Sequence, residues 1–147
     1  MRRFEFSLQI ILELRERRLL EVRKRLALKR NEIAEANERI LKAKNELQEF
    51  LKREVENRSG YTSAENLKWS VEYRFRLKRE LLAAGRNVQE LNKEAEEIRK
   101  EAVEAERKKR TLEILKDKRY QSWLRGYRKK EQEAIDDATQ KITFKKS

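Results

Sequence analysis

Asp136 and Asp137 are the nearest this chain comes to a paired-carboxylate site, and their spacing defeats it. Adjacent residues on a helix point about 100° apart, so the two carboxylates cannot converge on one proton or one ion. The 147 residues contain no histidine and no cysteine, which removes the usual general base, the thiolate nucleophile and the common zinc ligands. Gly60, Gly85 and Gly126 are the three glycines, too scattered for a phosphate-cradling loop or a dinucleotide fingerprint. The sequence therefore predicts a non-enzyme with no catalytic residue, no metal and no cofactor.

What remains is the chemistry of recognition. Tyr120, Trp123, Leu124 and Tyr127 stand within residues 107–130, which carry eleven basic and two acidic side chains, net +9. Residues 1–30 carry a net +6, whereas residues 31–106 and 131–147 are near neutral at −2 and −1. Aromatic rings among arginines suit a protein interface, where Trp, Tyr and Arg are the usual anchors. They also suit nucleic acid, where cations meet phosphates and rings stack on bases. Here the basic residues are interleaved with a regular apolar seam and match no nucleic-acid-binding module. A protein partner is the preferred reading, and no direct nucleic-acid contact is expected.

The elements that must carry these residues are helices. Charged residues make up 45% of the chain and proline is absent, so the sequence has punctuation for about one sharp turn. Disorder is the competing reading of so polar a chain, and periodicity excludes it. Every seventh position from Leu12 gives Leu12, Leu19, Leu26, Ile33, Ile40, Leu47 and Glu54; the companion set is Leu8, Arg15, Val22, Lys29, Ala36, Ala43 and Phe50. Eleven apolar residues at fourteen seam positions make a coiled-coil signal.

The pattern breaks once, at "ENRSGYTSAEN". Gly60 can end a helix, and Thr62 with Glu65 fits a capping box that starts the next. The seam then resumes through Leu67, Ser70, Arg74, Leu77, Leu81, Ala84, Val88, Leu91, Ala95, Ile98, Ala102, Ala105, Lys109 and Leu112, with a stutter expected near residues 112–120.

The predicted fold is all-α, a single antiparallel two-helix coiled-coil hairpin with a longer second helix. Its parts are helix 1 over about 4–57, a turn over about 58–62, helix 2 over about 63–141, and a frayed C-terminus. A parallel homodimer without a hairpin is the alternative for any long heptad run. No stretch approaches the roughly 20 apolar residues of a membrane span, and the lack of cysteine suits a reducing compartment.

A turn centred on residue 60 makes residue i face about 120 − i, so Tyr120 and all that follows, roughly 30 Å of helix, outrun the first helix. Tyr120, Trp123, Leu124, Tyr127, Ala134, Ile135, Ala138 and Ile142 share one face of this overhang. A bent N-terminal segment carrying Phe4 and Phe6, a second copy, or a partner must cover it. The arginines around it favour an acidic partner.

The ends of the chain resemble a known family. Phe6-Ser7-Leu8-Gln9-Ile10-Ile11-Leu12-Glu13-Leu14-Arg15 is similar to the start of the FliJ family, the general chaperones and stalk components of bacterial flagellar export. Gly60, Thr62 and Ser63 resemble its turn. Glu131, Glu133, Ile135, Asp136, Asp137 and Ala138 resemble its closing Glu-rich run, with Ile135 where that family usually has Leu and Asp137 where it has Glu. Stalk proteins of virulence type III secretion share the layout and stand as the alternative, with a basic nucleic-acid-binding coiled coil as the other.

The resemblance implies a non-enzymatic stalk and chaperone that docks in the hexameric flagellar export ATPase by its terminal end. Arg2, Arg3, Arg119, Tyr120, Trp123, Leu124, Arg125, Tyr127 and Arg128 are the candidates for that contact. It implies a second contact near the turn with the cytoplasmic domain of the membrane export gate, for which Leu41, Phe50, Trp69, Tyr73, Phe75 and Leu77 are the candidates, Leu77 being equally a seam residue. Substrate-specific export chaperones are further partners so implied. The expected location is cytoplasmic, peripheral to the inner face of the cell membrane.

Overall fold

The computed structural model describes residues 2–56 and 64–146. Two helices account for nearly all of them: α1, Gln9–Glu56, of 48 residues, and α2, Ala64–Lys146, of 83. The second is the longer and packs against the first, as the periodicity predicts, and no strand occurs among the described residues. Gly60 and Thr62, with the turn expected over 58–62, lie outside the described residues.

α1 begins at Gln9 rather than near residue 4, because the segment before it does other work. The amide of Gln9 donates to the carbonyl of Phe6 at 3.0 Å, and that of Leu12 to Leu8 at 2.9 Å. This opens the helix with a tight turn and leaves Phe4 and Phe6 outside it. α2 continues to Lys146, five residues past the expected end.

The chain divides into two compact units, a terminal one of Met1–Glu21 with Val103–Ser147 and an inner one of Val22–Ala102. Within the inner unit, Val22, Leu26 and Ile98 form the core, with half-buried Ala95 and Ala102 against it. Within the terminal unit, Phe6, Leu12, Leu19 and Ala105 are the buried apolar residues.

All fourteen seam positions read from α1 are buried or half-buried, and so are those of α2 except Leu67, which is 53% exposed. Beyond Lys109 the half-buried positions of the terminal unit are Leu112, Glu113, Leu115, Lys116, Trp123, Leu124 and Tyr127, while Tyr120 is 40% exposed. The regular alternation of threes and fours is lost over the stretch where the stutter is expected.

The register is close to the expected one. In the inner unit Arg25 pairs with Glu101, Lys29 with Glu94, Glu46 with Tyr73, and Glu54 with Ser70. The two numbers of each pair add up to between 119 and 126, so residue i faces about 123 − i, within a helical turn of the 120 − i that a turn centred on Gly60 gives. Ion pairs of Arg25 with Glu101 and Lys29 with Glu94 cross the seam at 2.8 Å.

Candidate docking site

The candidate site lies in the terminal unit, where the extended residues before α1 fold onto α2. The Phe4 ring meets Tyr120 edge-on at 5.3 Å and Trp123 at 6.0 Å. Such geometry sets the positive edge of one ring against the negative face of the other. Phe6 is buried, with the Arg119 guanidinium 5.5 Å from its ring centre, and Arg119 also donates to the Ser7 hydroxyl at 2.8 Å. One arginine thereby ties the backbone turn to α2 by a cation–π contact and a hydrogen bond.

The overhang reading is corrected on this point. Part of the aromatic stripe has a cover from its own chain, the bent segment with Phe4 and Phe6, so the helix does not stand alone from Tyr120 onward. The stripe continues past that cover. Tyr120, Trp123 and Tyr127 form a ladder with ring centres 6.0 and 5.4 Å apart and planes within about 23° of parallel. Spacings of three and four residues put the rings on one face of α2. Leu124 is half-buried beside them, whereas Ile135 and Ile142 are more than half exposed.

Below the covered rings lies a groove of about 620 Å³ lined by Arg2, Trp123, Gly126, Tyr127, Lys130, Glu131 and Ala134. Arg2 reaches it from the N-terminal segment; Arg3, Arg125 and Arg128 are exposed elsewhere on the unit. Sequence reasoning named Arg2, Trp123 and Tyr127 but missed Gly126, Lys130 and Glu131. The signal available for Gly126 was a glycine inside a helical run one turn from a tryptophan.

The second set of candidates sits in the inner unit, and the structure brings half of it together. Phe50 meets Tyr73 edge-on at 4.7 Å, and Trp69 stacks on Tyr73 at 5.3 Å with planes 7° apart. Arg76 lies 5.2 Å over the Tyr73 ring, and the Tyr73 hydroxyl donates to Glu46 at 2.7 Å. That bond to a carboxylate raises the Tyr73 phenol above its ordinary value. Trp69 is 62% exposed, so its outer face forms a platform. Leu41 and Phe75 are also exposed, Phe75 two residues from Tyr73 and so on another face of α2. Leu77 is buried in the seam and offers a partner almost no surface.

Among the described residues no cluster of acidic side chains could hold a metal ion, and no helix is long and apolar enough to cross a membrane. The two candidate surfaces are aromatic platforms with cations beside them.

A family model described as Flagellar FliJ protein matches residues 4–147. The chain belongs to the FliJ family. FliJ membership carries a role in flagellar export as a stalk or chaperone component, and the family is structural rather than catalytic. No curated protein and no solved structure matches this FliJ chain.

Proposed function

We propose that this protein is a mechanical and organisational component of flagellar protein export, seated by its terminal unit in the ring of the hexameric export ATPase. The observation that carries the reading is the stacked ladder of Tyr120, Trp123 and Tyr127 set in a helical stretch of net charge +9. Stacked aromatics supply a desolvated anchor, and Arg2, Arg3, Arg119, Arg125 and Arg128 supply steering and rim contacts to an acidic surface. At the other contact, the Trp69–Tyr73–Phe50 platform and exposed Leu41 and Phe75 engage the cytoplasmic domain of the membrane export gate. Coupling between these two contacts links nucleotide turnover to export, with substrate-specific chaperones as further partners. The protein so placed works in the cytoplasm, held at the membrane by the export apparatus alone.

A pull-down with the cognate export ATPase tests the seating. Trp123→Ala and Tyr127→Ala each remove one rung, and each is expected to weaken binding by about tenfold or more, as loss of a central aromatic anchor does. ATPase stimulation falls in parallel. Unchanged binding and stimulation in both variants sinks the proposal.

A further inference from the structure

A docked helix needs somewhere to put its bulk, and the terminal unit contains room that its own fold does not use. Gly126 lies inside α2 without a positive φ, and a Cβ built on it meets no heavy atom within 4 Å. Glycine in a helix interior is less stable than alanine because it loses more backbone freedom on folding. Neither a special backbone conformation nor a close neighbour in this chain calls for the missing side chain.

The surroundings supply a reason. Gly126 lines the groove together with Trp123, Tyr127, Lys130, Glu131, Ala134 and Arg2. Trp123 and Tyr127 are one turn apart, and so are Gly126 and Lys130, so the glycine lowers the groove wall directly beside the two rings. At about 620 Å³ the space falls within the usual size of a ligand site and is large enough for bulky side chains.

We propose that Gly126 is a docking notch, shaped for the apolar face of an amphipathic helix from an acidic partner. The proposal rests on the terminal-docking reading above. The occupant's chemistry follows from the rim: Arg2 and Lys130 line the groove against the single carboxylate of Glu131. Arg125, Arg128 and Lys129 lie on the other side of the same helix and take no part in the rim. A helix laid in the groove puts apolar residues against Trp123 and Tyr127 and carboxylates toward Arg2 and Lys130, the helix-in-groove mode of recognition.

The test uses the full chain and the cognate export ATPase, with Gly126→Leu, Gly85→Ala and Trp123→Ala compared by binding and thermal unfolding. Gly85 is the matched control, a second helical glycine around which a Cβ meets nothing within 4 Å. Gly126→Leu is expected to weaken binding by about tenfold or more, since a filled notch leaves the partner's side chains no seat. It keeps or raises the unfolding temperature, because leucine is the better helix former. Gly85→Ala raises that temperature too and leaves binding unchanged.

If Gly126→Leu binds like wild type while Trp123→Ala does not, the notch is wrong and the terminal-docking reading stands. If neither weakens binding, both fall. Should sedimentation show self-association that Gly126→Leu abolishes while ATPase binding is untouched, the groove belongs to a second copy and the proposal is overturned.

Discussion

Lys29 is the charged residue that fits its seam position least well by type and best by partners. Its side chain is 19% exposed, and its Nζ meets Glu94 at 2.8 Å across the seam and Glu32 at 3.2 Å along α1. A polar residue at a seam position specifies alignment, and Lys29 does so here by reaching the other helix. The hydrogen bonds to Glu94 and then Glu32 raise the lysine above its ordinary value of 10.5, against the opposing effect of burial. A raised folded-state value means the stabilisation is complete below the ordinary lysine range and is lost as pH climbs through the raised value. The stability gap between wild type and Lys29→Met, measured by urea unfolding, should hold steady from about pH 7 to pH 10 and change above it. A gap that does not move at high pH removes the ion pair as its cause.

Along each helix, the alternation of threes and fours decides which residues are inside. Leu19 and Leu20 are neighbours, one buried at 2% exposure and the other 57% exposed. Leu19→Ala should cost about 2–4 kcal/mol in unfolding free energy and Leu20→Ala within about 0.5; similar losses would mean the seam is misassigned. The seam was legible in the sequence because period alone identifies a covered face, as it did at every seam position of α1. Alignment between the helices was not legible to better than a turn. A heptad pattern matches itself almost as well after a small slide, and only particular pairs such as Arg25 with Glu101 break the tie. The N-terminal cover was legible as one of several ways to shield the aromatic stripe, since Phe4 and Phe6 stood out as aromatics near the start of the chain. The groove itself escaped, because Arg2 and Lys130 are far apart in sequence and meet only once the terminal unit has formed.

Over the whole molecule the charge is less lopsided than the sequence blocks suggest. The terminal unit carries nineteen basic and twelve acidic side chains, the inner unit twenty and fifteen. The bias is concentrated in residues 107–130, at +9, and residues 1–30, at +6, so electrostatics should govern docking at those stretches rather than by net charge. Raising salt from about 50 to 500 mM should slow association with the export ATPase by about tenfold, as steering is screened. Duplex DNA and RNA should bind no tighter than about micromolar at physiological salt; submicromolar binding that vanishes with salt would favour a nucleic-acid partner instead. The hydrogen bond between Ser7 and Arg119 joins residues 112 apart in sequence, whereas the one between Glu54 and Ser70 joins residues only 16 apart. Loop-closure entropy grows with separation, so short-range pairs close early and the N-terminal segment reaches Tyr120 and Trp123 last. The groove is thus the youngest surface of the folding chain. Because Arg2 lines it, the groove is complete only when the N-terminal segment lies on α2, so a partner seated there as proposed would select chains whose two ends have met.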